Sequence, residues 1–351
     1  MMKDNVRFGI IGSGVIGPWH ARAIEACEDA ELVAISDVAL DKAKALAKEH
    51  GDVACYEDYK RMLARDDLDA VSICTPSGLH GDAAIAAAQA GKHVLCEKPL
   101  EITLEKIDAM IVAARDNDVK LGGIFQWRTY PVSIQAREAV QSGRLGKMVL
   151  GDAYLKYYRS QAYYDSAGWR GTWQYDGGGA LMNQGVHGID ILLWIMGDVE
   201  SVFARAAPLA RKIEVEDTAV AALKFKSGAF GALEGTTSSN PGEESTLSFH
   251  GEKGTIIMTE SKFLKWAVTD EPDGRAEEQE EMKKVEGETK TGVADPTEIG
   301  IRGHIIQVED MVKAIKEDRD PMVTGESARK SVQLIVAIYE SSKTGKEVFI
   351  K

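Results

Sequence analysis

Gly12-Ser13-Gly14-Val15-Ile16-Gly17 is the first stretch of the chain whose residue types could do chemistry, because it follows the apolar run 6–12 and precedes the helix-like Pro18-Trp19-His20-Ala21-Arg22. In that setting the first glycine permits a tight turn, the second lets backbone approach a pyrophosphate, and the third lets helix pack on strand. Free N–H groups and the dipole at the helix start then favour phosphate, so these six residues are the expected dinucleotide loop. Asp37 stands 20 residues after Gly17, at the end of the next apolar run. A carboxylate there accepts hydrogen bonds from ribose hydroxyls and repels a 2'-phosphate, and Val38, Ala39 and Leu40 offer no arginine to attract one. NAD is the expected cofactor in preference to NADP. A structural role for Asp37, as N-cap of the helix that follows, is compatible with this.

Lys98 lies in Cys96-Glu97-Lys98-Pro99, at the carboxyl end of the run 93–99, where open α/β sheets bind ligands. A lysine partly withdrawn from water can lose its proton near the operating pH and polarise or deprotonate a substrate hydroxyl. Its structural alternative is a surface lysine ahead of a turn proline. Asn183, His187 and Asp190 are spaced i, i+4, i+7, so a helix carries them on one face, able to address one ligand. His187 is the natural general base, as the side chain whose ordinary pKa lies nearest neutrality; a buried, satisfied histidine is the other reading. Asp190 either contacts substrate, holds the His187 ring or serves the fold. The segment from Tyr157 to Trp173 is rich in aromatics and carries Arg159 and Arg170. Sugar rings stack on aromatic faces and arginine pairs bidentately with carboxylate or phosphate, which makes Trp169 and Arg170 candidate substrate contacts for a sugar with an anionic group. The same aromatics could instead build an interface. No further His/Cys cluster completes a coordination set, so no metal is expected. Cys27, Cys55, Cys74 and Cys96 occur singly and read as reduced packing thiols.

The elements that must position these residues follow from composition and periodicity. At roughly 150 residues per domain, 351 residues make about two domains. With 44% hydrophobic and 28% charged residues and no ~20-residue apolar run, disorder and membrane insertion are excluded as expectations. A net charge of −13 disfavours nucleic acid. The N-terminal residues lack the long apolar core of a secretory signal, so the cytoplasm is the expected location. Apolar runs at 6–12, 31–37, 70–76, 93–99 and 120–125 alternate with Ala/Leu-rich helical stretches, the pattern of a doubly wound parallel sheet in a domain spanning 1–125. From 126 to 351 the turns KSGA, NPG and GEKG join hydrophobic stretches beside a few helices, which implies an α+β domain with a large open, mostly antiparallel sheet. Apolar residues on both faces of that sheet would need cover, and a second subunit, in a homodimer or homotetramer, is the expected cover. The acidic run 270–290 reads as a solvated loop or exposed edge.

The glycine loop, Thr75-Pro76, Glu97-Lys98-Pro99 and the run Gly177-Gly178-Gly179-Ala180-Leu181-Met182-Asn183-Gln184-Gly185-Val186-His187-Gly188-Ile189-Asp190 together resemble the Gfo/Idh/MocA family, over essentially the whole chain. The resemblance implies a Rossmann domain and an NAD-dependent dehydrogenase in which Lys98 and His187 flank the reacting carbinol of a sugar, cyclitol or sugar derivative, nucleotide sugars included, in either direction. It also implies Thr75, Pro76, His80, Glu97, Lys98 and Gln126 as cofactor neighbours and a cis Lys98–Pro99 peptide. At Asn183 the chain departs from the inositol dehydrogenase pattern, which has Asp there; asparagine takes no proton, so Asn183 is read as a holder of substrate hydroxyls. The Gfo/Idh/MocA resemblance leaves two rivals: a glycosidase that oxidises transiently and keeps its NAD, and an NAD-sensing protein without turnover.

Overall fold

The computed structural model describes residues 5–271, 276–278 and 300–351; the acidic run 270–290 falls mostly outside them. In chain order the elements are β1 Val6–Ile11, α1 Gly17–Glu25, β2 Ala30–Ser36, α2 Leu40–Glu49, β3 Ala54–Tyr56, α3 Tyr59–Leu63, β4 Ala70–Ile73, α4 His80–Gln89, β5 His93–Cys96, α5 Leu104–Asp116 and β6 Leu121–Gly123. They continue with α6 Pro131–Gln141, β7 Met148–Lys156, α7 Gln161–Asp165, α8 Val186–Met196, β8 Val199–Ala207, β9 Thr218–Phe225, β10 Phe230–Thr236, β11 Thr246–Gly251, β12 Gly254–Met258, β13 Phe263–Val268 and β14 Glu277–Glu278. The last are α9 Arg302–Glu317, α10 Gly325–Thr344 and β15 Val348–Phe349. No helix among the described residues is long and apolar enough to cross a membrane.

The first unit comprises Met1–Gln126 and Ile301–Arg329. Its six strands are all parallel, in the order β3-β2-β1-β4-β5-β6. Strand order reverses between β1 and β4, so the loops leaving those two strands open a crevice at the carboxyl edge, the ligand position of a doubly wound sheet. The apolar runs read from the sequence supply five of the strands. Short, half-buried β3 escapes that reading because three residues at a sheet edge leave no periodic signal. The chain also divides differently from a single boundary at 125/126. Helix α9 returns to the first unit, where Val308, Met311 and Val312 join Phe8, Ile10 and Ile24 in one core. Its amphipathic spacing shows that α9 buries a face, but not on which sheet.

The second unit, Trp127–Gly300 with Lys330–Lys351, holds a nine-stranded sheet in the order β14-β13-β12-β11-β7-β10-β9-β8-β15. Only the β10–β7 pair is parallel; the other seven named pairings are antiparallel. One face carries the core, with Leu155, Phe225, Leu233, Phe249 and Trp266 buried, and α8 packs along β7. On other positions of the same strands Leu150, Phe203, Val220 and Phe230 are exposed, Phe230 to 61%. Val220 pairs with Arg205 and Glu234, and Phe230 pairs with Leu150 and Lys224, so polar residues border these apolar ones.

Gly12 shows how tightly the switch point is built. Its φ is +99°, and a Cβ there would stand 2.7 Å from the carbonyl carbon and oxygen of Cys74, backbone that cannot move aside. Gly12→Ala is therefore expected to destabilise the first unit by about 2–3 kcal/mol through clash and strain, measured by urea unfolding. An unchanged midpoint would show that the loop relaxes freely.

Candidate active site

At the start of α1 the dinucleotide loop behaves as its glycines require. Gly14 is exposed with open space where a Cβ would stand, and Val15 beside it is exposed too. Asp37 ties the loop down: Oδ2 accepts from the Ser13 N–H and Ser13 Oγ, both at 2.8 Å, and Oδ1 accepts from the Ala39 N–H at 2.8 Å. The N-cap position of α2 is Ala39, so Asp37 acts two residues ahead of it. Thr75 leaves β4 next to Gly12, and its hydroxyl oxygen is buried without a partner. An open glycine, an orphaned hydroxyl and a fixed carboxylate at a helix start suit the phosphates and ribose of a dinucleotide.

Other expected cofactor neighbours have different occupations. His80, at the start of α4, lies between two carbonyls, Nδ1 2.9 Å from Pro99 O and Nε2 2.8 Å from Thr75 O, and so laces the loops after β4 and β5 together. Pro76 opens the short 3-10 turn Ser77–Leu79. Gln126 is buried beneath α9, where a Cβ on Gly303 would stand 2.5 Å from its own. Glu97 is buried as well; its Oε1 is 2.9 Å from His20 Nε2 and 3.2 Å from His304 Nε2, and its Oε2 accepts from the Lys98 N–H at 3.1 Å. These side chains shape the crevice from behind. Lys98 itself is half-buried, and its bond to Pro99 is cis.

In the second unit the residues read from the glycine-led run do not share one α-helix. Asn183 lies on a π-helical turn, Ala180–Gly185, and His187 and Asp190 lie on α8. Wider π-turns break the 3.6-residue period, so the i, i+4, i+7 argument does not fix a common face here. The turn is imposed by Glu216, whose Oε2 accepts from the Gly179 N–H at 3.0 Å and whose Oε1 accepts from the Leu181 N–H at 2.8 Å and the Tyr339 hydroxyl at 2.9 Å. A Cβ on Gly179 would stand 2.0 Å from Glu216 O, which explains the glycine.

Asn183 donates from Nδ2 to Asp176 Oδ1 and accepts from Gln184 Nε2 at 2.8 Å. Gln184 also bonds the Tyr163 hydroxyl at 3.2 Å and accepts from Arg159 at 2.8 Å, and Arg170 donates to the same Tyr163 hydroxyl while lying 4.3 Å over its ring. Trp169 stacks on the Arg170 guanidinium at 4.6 Å. One polar line thus runs from Asp176 to two arginines.

His187 is buried with its ring stacked on Trp127, centroids 5.7 Å apart. The substrate role expected of Asp190 is not supported. Its carboxylate is buried in a two-point bond from Arg128, Nε to Oδ2 at 2.7 Å and NH2 to Oδ1 at 2.6 Å, which fastens the turn before α6 to α8. Arg128, Trp127, Asp176 and Glu216 carry no sequence signal of these roles, since each meets its partner across the fold; only Asp176, directly before the glycines, sits near a motif.

The fold brings together one group with the chemistry of a metal site, His20, Glu97 and His304, which no spacing in the sequence reveals. Nδ1 of both histidines is buried without a partner. A cation would take the Nε2 lone pairs and push each ring hydrogen onto that unpartnered Nδ1, the opposite of the outer-shell support that metal-bound histidines have. Hydrogen bonding to Glu97 suits these three residues better.

Burial pushes the Glu216 carboxyl up to about 7 against the pull of its three donors. A carboxyl raised in the folded state gives stability that is complete below its ordinary value of 4.5 and is lost as pH rises through 7. Between those values the unfolding free energy is expected to fall by up to about 3 kcal/mol on this account, and Glu216→Gln should flatten that part of the profile. Parallel profiles for the two proteins in chemical denaturation would refute the assignment.

Comparison with known proteins agrees with this architecture. Residues 6–124 match the family described as oxidoreductase family, NAD-binding Rossmann fold, and residues 133–257 match the GFO/IDH/MocA C-terminal domain. The chain is 32% identical over 283 residues to myo-inositol 2-dehydrogenase of Thermotoga maritima, covering 77% of this chain and 80% of the relative. It is 29% identical to D-glucoside 3-dehydrogenase of Escherichia coli, over 99% of this chain and 98% of that one. The crystal structure of the WlbA dehydrogenase from Bordetella pertussis, in complex with NADH and UDP-GlcNAcA, superposes with a TM-score of 0.87 at 33% identity over 99% of both chains. A switch-point crevice that suits a dinucleotide, a lysine after β5, a glycine-led turn into α8 and these matches together mean that the chain belongs to the Gfo/Idh/MocA family of oxidoreductases and is an NAD-dependent dehydrogenase acting on CH–OH groups.

Proposed function

We propose that this dehydrogenase interconverts a secondary carbinol and its ketone on a sugar, cyclitol or nucleotide sugar that bears an anionic group, with Lys98 and His187 serving the hydroxyl proton. The observation that carries the reading is the polar line from Asp176 through Asn183, Gln184 and Tyr163 to Arg159 and Arg170, on and beside the turn that leads into the His187 helix. Asn183, held by Asp176 and Gln184, orients substrate hydroxyls. Arg170, stacked between Tyr163 and Trp169, presents a planar fork suited to carboxylate or phosphate, and Trp169 offers a face to a sugar ring. The inositol, glucoside and UDP-GlcNAcA relatives support a polyol, sugar or nucleotide-sugar substrate.

Bound NAD supplies the hydride acceptor or, reduced, the donor. Gly12 to Gly17 and Thr75 bind it at the switch point, and Asp37 holds the adenosine ribose. Lys98 and His187 take the hydroxyl proton in oxidation and return it in reduction. Four unpaired cysteines support a reducing, cytoplasmic setting, and the exposed Leu150, Phe203, Val220 and Phe230 support a homodimer or homotetramer through that sheet face.

A panel of sugars, cyclitols and nucleotide sugars, with and without a carboxylate, assayed by NADH absorbance should give turnover, fastest with an anionic member. On that substrate Lys98→Met or His187→Ala should lower kcat by ~10² to 10⁴ and leave NADH binding nearly intact. The double variant should lose far less than the product of the two. Near wild-type kcat in either single variant, with the fold preserved, removes that residue from the mechanism. Light scattering should give a dimeric or tetrameric mass that Phe230→Asp lowers; a monomeric wild type would end the oligomer reading.

A further inference from the structure

We propose that His20, Glu97 and His304 form a buried positioning device that sets Lys98 for catalysis through its backbone, an inference that rests on the assignment of Lys98 as the proton-transfer group. The three come from α1, the end of β5 and α9, far apart in sequence, and all are enclosed, at 0%, 6% and 1% exposure. Glu97 divides its two oxygens: Oε1 faces both imidazole Nε2 atoms, and Oε2 accepts from the Lys98 N–H.

Hydrogen bookkeeping fixes the state of the cluster. To donate to Glu97 Oε1, each ring must carry its hydrogen on Nε2. Nδ1 of both rings is buried without a partner, so an imidazolium would bury an N–H that nothing accepts. Two neutral rings and one carboxylate satisfy the geometry. Burial, the larger effect, keeps His20 below its ordinary value, and it also pushes Glu97 up; the two histidines outweigh it and hold Glu97 well below the carboxylate range.

The His20 and His304 rings also meet edge to face, centroids 5.4 Å apart, so α1 and α9 fix the carboxylate from two directions. An anion this deeply buried stays in place only while its donors do. Two helices thereby determine where the Lys98 backbone stands, and the reach of its side chain follows. This gives α9 a task that the sequence reading did not assign: it returns to the first unit carrying the second donor. Neither histidine is proposed to touch substrate or cofactor; both act through Glu97.

The test compares His20→Leu and His304→Leu, which remove the donor, with His20→Gln and His304→Gln, whose amide N–H stands near the lost Nε2–H. Lysines of each protein are reductively methylated with ¹³C-formaldehyde, and the Lys98 signal is assigned by its absence in Lys98→Met. Wild type should show a Lys98 resonance displaced from the exposed lysines. The leucine variants should return it to their position, and the glutamine variants should keep it displaced. On the substrate from the panel the leucine variants should lose 10- to 100-fold in kcat with KM and NADH affinity within about twofold, and the glutamine variants should recover most of the loss. His304→Leu should cost nothing further in a Lys98→Met background.

A Lys98 signal at the bulk position in wild type, or glutamine variants no better than leucine ones in folded protein, overturns the proposal. Multiplying losses in the double variant overturn it while leaving Lys98 catalytic, whereas near wild-type kcat in Lys98→Met removes the assignment on which it rests. If the leucine variants do not fold, the glutamine variants and Glu97→Gln decide: the signal should stay displaced in the former and return to bulk in the latter, and the reverse overturns the proposal.

Discussion

A carboxylate taken out of water costs several kcal/mol unless hydrogen-bond donors replace the water it loses. This constraint governs the loops around both halves of the site. Asp37 gathers the Ser13 and Ala39 amides. Glu97 gathers two imidazoles and the Lys98 amide. Glu101 accepts from the Gly81 and Ile102 amides, Asp176 from Gly171 and Asn183, and Glu216 from Gly179 and Leu181. In each case the partner is backbone that carries or adjoins a candidate functional residue. Loops that would otherwise sample many conformations are held at one, because releasing any amide leaves a buried charge short of a donor.

The same arrangement separates two kinds of residue in the site. Lys98, Asn183, Arg170 and the open glycine loop combine polar atoms with partial exposure, as groups that meet a ligand must. Behind them Glu97, His80, Gln126 and Asp190 are buried and engaged with protein, although each sits in or beside a family motif. Two motif residues can therefore be neighbours in sequence and do different work. Lys98 is available to a substrate because Glu97, one position earlier, is wholly occupied. Asp190 follows the same logic from the other unit: its bond to Arg128 anchors the helix that carries His187.

Much of the fold was legible because burial leaves periodic traces. Strands of a doubly wound sheet are covered on both faces and read as continuous apolar runs, and the helices between them show their own spacing. The glycine loop was legible for a steric reason, since Gly12 occupies a backbone conformation and a space closed to other residues. Strand β3 was not, being too short to establish a period.

By itself, then, the sequence determined the fold class, the dinucleotide loop, Lys98 and His187 as the candidate proton-transfer groups, and the family, all of them carried by local order along the chain. Tertiary structure alone decided the rest. It returned α9 to the first unit, placed His20 and His304 on Glu97, turned the residues before α8 into a π-helix around Glu216, and gave Asp190 to Arg128. The reason is physical. Local sequence records which faces are apolar and where the backbone must turn, but a buried charge chooses its partner by proximity after folding, and that proximity joins residues as far apart as Glu97 and His304.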